Sequence, residues 1–342
     1  MGFTKVTEIV KDSPSFTTMT DLAAEKLGGK VLYATDDFFA GKENLIKSGR
    51  GIFITDKYTD RGKWMDGWES RRKRTPGHDW AVIKLAAPGK IFGVDIDTNY
   101  FLGNHPPHAS LEAVTLTGDI ADDEWDGLQW TEILVKSHLD AGSQNFFEIN
   151  DHTPYTHLRL HIYPDGGVAR LKVYGEVAKD WSSFPSDKEI DLAAAINGAN
   201  AIACNDMFFS HMQNLIMPNR GENMGDGWET KRNRTPGNRD WVVVRLATRG
   251  IIDRVLIDTC HFKGNYPDSC SIEICDSIDD HAVLNDQVEW KPLLPQQKLS
   301  ADHEHEFTTQ LIPGVPGTHV RLHIYPDGGI SRMRLFGKKL SQ

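Results

Sequence analysis

Short apolar runs separated by Gly and Pro recur along the whole chain. Residues 80–85 (Trp-Ala-Val-Ile-Lys-Leu) and 91–96 (Ile-Phe-Gly-Val-Asp-Ile) flank an Ala-Pro-Gly break. This pattern predicts two strands joined by a hairpin or a crossing between sheets. Residues 241–246 and 251–257 repeat it, and 109–116 and 130–135 add further strands. In residues 158–163, Leu158, Leu160 and Ile162 alternate with Arg159, His161 and Tyr163, so the two sets face opposite sides of a strand. Pro164-Asp-Gly-Gly then turns the chain, and residues 168–174 return as the second arm of a terminal hairpin. Helical signal is confined to one short piece at 21–27 and another at 191–196. Many short strands with Gly/Pro turns predict an all-β chain built as an antiparallel sandwich or jelly roll.

The pattern occurs twice. Residues 66–77 (Asp-Gly-Trp-Glu-Ser-Arg-Arg-Lys-Arg-Thr-Pro-Gly) agree with 226–237 at nine of twelve positions, and 158–167 agree with 320–329 at nine of ten. Weaker matches keep the same order: Asp79-Trp80 with Asp240-Trp241, Asn104 with Asn265, Trp130 with Trp290. Asn44-Leu-Ile pairs with Asn214-Leu-Ile, which leaves the first copy ten residues longer before the Asp-Gly-Trp-Glu motif. Such collinearity means duplication of a whole domain rather than a solenoid of short units. The expected domains are 21–180 and 188–342, with a Ser- and Pro-bearing junction between them and residues 1–20 as a leader.

Composition narrows the class. A chain of 342 residues is long enough for two domains. A net charge of −10 argues against a general nucleic-acid partner while leaving room for a local anion pocket. No run reaches the roughly 18 apolar residues of a membrane helix. The first residues lack the basic and apolar regions of a signal peptide, and Val6 stands where myristoylation after Gly2 needs Ser or Thr. Cys204, Cys260, Cys270 and Cys275 form no Cys-x-x-Cys pair, which favours a reducing cytoplasm over a disulfide framework. A homo-oligomer stays open.

The two doubled motifs, Asp-Gly-Trp-Glu-x-x-Arg-x-Arg-Thr-Pro-Gly and Arg-Leu-His-Ile-Tyr-Pro-Asp-Gly-Gly, carry a resemblance, as do the upstream Asp-Asp-Phe-Phe and Asn-Leu-Ile elements. The chain resembles the allantoicase family over nearly all of its length after residue 20. That resemblance implies a tandem duplication of a galactose-binding-like jelly-roll β-sandwich. It also implies a hydrolase acting on carbon–nitrogen bonds in linear amidines, which splits allantoate to ureidoglycolate and urea in allantoin degradation. The competing reading is a non-catalytic tandem sandwich that binds a carbohydrate or another ligand, because fold alone does not set function.

Allantoate is a small anion with two ureido groups. Its site needs a cation for the carboxylate, amide partners for the ureas, and groups that move protons to the leaving urea and from water. The 66–79 segment concentrates such groups. Glu69, Arg71 and Arg74, with Glu229, Lys231 and Arg234 in the second copy, are the catalytic candidates, and Arg72 and His78 stand among them. Arg can hold a carboxylate through two parallel bonds. The plainer reading is a solvated basic loop over a buried Trp68. Asn104, His105 and Asn265 are substrate-binding candidates whose other reading is a turn. Arg159, His161, Arg321 and His323 share strand faces that are either a pocket wall or the solvated outside of a sheet. Asp165 and Asp327 read as turn residues. His303-Glu-His305 has ligand-like spacing and no counterpart in the first copy, which favours an exposed acidic loop. No cofactor signature is evident; a divalent metal that activates water stays open, and no metal ligands are assigned.

Overall fold

The computed structural model describes residues 13–118, 120–122 and 124–340. The Gly2 and signal-peptide readings, and most of the leader, lie outside the described residues. The described residues divide into two compact units, one formed by residues 20–178 and the other by 179–340 with residues 13–19. Each unit holds the same eight-stranded sheet and two-stranded pair, and the first adds a short pair, Tyr58–Thr59 with Gly62–Lys63, in its longer loop.

In the first unit the apolar stretches around Pro88 form one strand, Asp79–Asp97, rather than two. Its first half pairs with Lys30–Ala34 and with Tyr155–Tyr163. Its second half pairs with Arg170–Val177 and Phe146–Glu148. The strand thus bends from one layer of the sandwich into the other. Pro88 has no N–H to leave unsatisfied at the bend, and its carbonyl accepts from Ala178 N at 2.7 Å. Tyr155–Tyr163 continues the first layer to His108–Val114 and then to Thr131–His138. The core lies between the layers: Ala81, Ile83 and Leu85 face Ile91, Val94 and Ile96, with Leu158, Leu160, Ile162, Leu171 and Val173 completing it. Burying this many apolar side chains is what holds the sandwich together, at roughly 1.5–3 kcal/mol each before entropy is charged against it.

The expected terminal hairpin does not form. Tyr155–Tyr163 and Arg170–Val177 pair with different halves of the long strand and lie in opposite layers. Between them, Gly167–Val168 is diverted to pair with Trp68–Glu69, and Ala169 N donates to Asp97 O at 2.7 Å. Gly166 makes this crossing feasible. Its φ of +138° suits glycine, and a Cβ there would stand 2.6 Å from the Asn104 carbonyl oxygen.

The second unit repeats the plan. Asp240–Asp258 bends between the layers, Pro316–Tyr325 and Arg332–Lys339 flank its two halves, and Trp228–Glu229 pairs with Gly329–Ile330. The helical pieces expected near 21–27 and 191–196 are single 3₁₀ turns, Glu25–Leu27 and Ala195–Asn197. Among the described residues, α-helix is limited to Asp280–Leu284. The fold is the all-β duplicated jelly roll that the sequence pattern predicts. No helix among the described residues is long and apolar enough to cross a membrane.

Candidate functional site

The Asp-Gly-Trp-Glu motif is a two-residue strand with two unlike faces. Trp68 is fully buried and donates its indole N–H to Asp36 O at 2.8 Å. Successive residues of a strand point oppositely, so Glu69 is turned toward the loops. Its backbone is held on both sides, by Gly167 in the strand pair and by Ala40 in a bridge. Asn104 Nδ2 donates to Glu69 Oε1 at 2.7 Å. The second unit reproduces each part: Trp228 donates to Asp206 O at 2.8 Å, Ser210 bridges Glu229, and Asn265 donates to Glu229 Oε1. Burial pushes both glutamate carboxyls above the ordinary range, and the bond from each asparagine pulls part of the way back.

Around Glu229 the loops enclose a cavity of about 620 Å³, lined by Phe209, Arg232, Asn265, Tyr266 and Asp327 among others. The counterparts by sequence in the first unit are Phe39, Arg72, Asn104, His105 and Asp165. The two aspartates act as clamps as well as turn residues. Asp165 Oδ2 accepts from Lys73 N, and Asp327 Oδ2 from Asn233 N, both at 2.7 Å. They fasten the arginine loop to the turn that follows Tyr163 or Tyr325.

The arginine loop distributes its cations differently from the sequence expectation. Arg71 is tied to Asp36, whose two carboxylate oxygens accept from its backbone N–H at 2.9 Å and its Nε at 2.7 Å. Burial alone would raise the Asp36 carboxyl, but these bonds hold it below its ordinary value. Lys231 is tied to Asp206 in the same way. Arg74 and Arg234 are exposed and have no hydrogen bond or ion pair among the described residues. Arg232 is the cation that lines the cavity. Identity between copies marks Arg72/Arg232 and Arg74/Arg234 alike, so it did not separate the cavity-lining arginine from the exposed ones.

The Arg159, His161, Tyr163 face is the outside of its sheet, yet it is not simply solvated. Glu112 accepts from Arg159 Nη2 at 2.6 Å and shares a bond with His161 Nε2 at 3.0 Å. The Arg159 guanidinium lies over the Trp130 ring, 4.7 Å from its centroid. His78 is part of this network, with its Nε2 2.8 Å from His161 Nδ1. In the second unit Glu273 binds Arg321 at 2.7 Å and His323 at 2.8 Å, and the hydrogen bond from His323 is the main cause that brings its carboxyl down to about 2. Arg321 and His323 do not line the cavity. His305 belongs to the strand Glu304–Phe307 rather than to a loop, and its ring bonds Ile257 O and Ser300. Among the described residues no group of three or more His, Cys, Asp or Glu is arranged to hold a metal ion.

A half-buried carboxyl with a raised pKa can accept a proton from water, an amide can bind a ureido group, and a rim guanidinium can hold a carboxylate. Fold and cavity together define a tandem jelly-roll protein with a polar cavity at the loop end of its second unit. The allantoicase repeat matches residues 20–178 and again 190–340. A "Probable allantoicase" of Stutzerimonas stutzeri is 52% identical over 326 residues, covering 94% of this chain and 97% of its own. Another, from Pseudomonas fluorescens Pf-5, is 50% identical over 326 residues, with 95% and 97% covered. The crystal structure of allantoicase from Saccharomyces cerevisiae superposes with a TM-score of 0.80 at 35% identity, over 98% of this chain and 99% of that one. The chain belongs to the allantoicase family.

Proposed function

We propose that this chain hydrolyses allantoate to ureidoglycolate and urea, with the substrate held in the pocket that Glu69 or Glu229 lines. The observation that carries the activity is the family repeat matched over both halves of the chain. Water adds to the central carbon of allantoate as the bond to one ureido nitrogen breaks. The bonding pair goes to that nitrogen, which takes a proton and departs as urea, while water gives one proton to a base and leaves its hydroxyl on carbon. The glutamate carboxylate is the base. Burial raises its pKa, which makes it a stronger base than an ordinary surface carboxylate.

Asn104 and Asn265 fix one oxygen of each glutamate, and no hydrogen bond among the described residues holds the other. Arg72 and Arg232 offer the planar pair of donors that a substrate carboxylate accepts. The four cysteines are free and buried, which supports work in a reducing cytoplasm. Purified protein should release urea from allantoate and leave allantoin, whose ring is closed, untouched. Tight sugar binding with intact allantoate would overturn the reading.

A further inference from the structure

The two repeats set the same frame around unlike side chains. Each has the glutamate–asparagine pair and the aspartate clamp on the arginine loop. Next to the asparagine, however, the first repeat has His105 and the second Tyr266. Tyr266 lines the cavity beside Glu229. At the matching place, His105 Nδ1 is buried and has no hydrogen-bond partner among the described residues. Buried ring nitrogens nearly always have a partner, so one left open on the residue after Asn104 calls for a group that arrives from outside the chain.

Cleavage of allantoate needs two proton-transfer groups that alternate, one giving to the departing nitrogen and one taking from water. Imidazole does both near neutral pH, whereas a phenol keeps its proton to about pH 10. The first repeat therefore combines a carboxylate with an imidazole, and the second a carboxylate with a phenol. The second pocket keeps what binding requires: the Arg232 guanidinium, the Asn265 amide and the exposed Phe209 ring, against which a planar ureido group can lie.

We infer that the repeats divide the work. The first turns allantoate over, with His105 giving the proton to the leaving urea and Glu69 taking one from water. The second binds a ureido carboxylate without cleaving it. This rests on the reading of the glutamate–asparagine pair as the site. Glu69 is held at the neighbouring residue by its bond from Asn104, and the turn after Asp165 lies against the His105 backbone.

The test uses the full chain. His105→Tyr copies the second repeat and should lower kcat at least a hundredfold, in the range general acids contribute. Calorimetric titration of that variant with allantoate should count two bound molecules per chain. His105→Gln, a smaller change that should keep the melting temperature near that of the parent, should show the same loss of kcat. Retention of more than a tenth of kcat in both variants, or a single allantoate per chain, overturns the division of work. A parent protein that releases no urea from allantoate would instead strike the proposed function itself.

Discussion

Asp95 is the residue whose replacement tests the packing argument most severely. It is fully buried, Gln144 Nε2 donates to its Oδ2 at 2.7 Å, and its Oδ1 has no partner among the described residues. Burial pushes its carboxyl from the ordinary 3.8 up to about 7; the nearby Asp97 adds to the rise, and Lys172 and Arg50 oppose it. The second repeat solves the same position without a charge. Leu256 stands opposite Arg334 in the register where Asp95 stands opposite Lys172.

A carboxyl with a raised pKa favours folding only while it is protonated. Its contribution is intact below pH 4, falls as pH rises toward 7, and levels off above that. A shift of this size is worth about 4 kcal/mol once the group is ionised in both states. Asp95→Leu removes that cost and forfeits one hydrogen bond of about 1 kcal/mol. The expected net gain is about 3 kcal/mol at pH 8 and close to nothing at pH 5. For a unit of this size that means a rise of roughly 6–12 °C in the transition of the first repeat at pH 8. Differential scanning calorimetry of the whole chain between pH 5 and pH 8 would read it. A gain of equal size at both pH values, or a loss at pH 8, would refute the reasoning.

Three further outcomes follow from the site geometry. Asn104→Ala removes the bond that pulls the Glu69 carboxyl down, so the acidic limb of kcat/KM should move to higher pH; a limb that stays put would show that Glu69 is not the titrating base. Arg72→Ala should raise KM for allantoate about ten- to a hundredfold, the loss of one charge-assisted pair, with little change in melting temperature. Gly166→Ala should cost about 1–3 kcal/mol in denaturant unfolding, because a left-handed φ meets a crowded Asn104 carbonyl, and should lower turnover by displacing the loop that carries Asn104.

Much of the architecture is written locally. Strand runs, Gly/Pro punctuation and the doubled motifs are short-range properties, so they were legible without coordinates. The same holds for Trp68 and Trp228, each fully buried with its indole bonded to the turn behind it. Glu69 and Glu229 could be singled out because a motif retained in both copies placed a carboxylate beside arginines.

What each side chain faces was decided elsewhere. The strands before and after Pro164 look like a hairpin in sequence, yet they join opposite layers because Gly167 pairs with Glu69, almost a hundred residues away. Nor does the loop's own composition say that Arg232 lines the cavity while Arg71 and Lys231 lie on Asp36 and Asp206. Likewise, alternation could show that Arg159 and His161 share a face. Only the neighbouring strand could supply Glu112, and only the loop above could supply His78, to occupy that face. Period-two patterning specifies sides, whereas partners depend on register between strands distant in sequence, which only the closed sandwich sets.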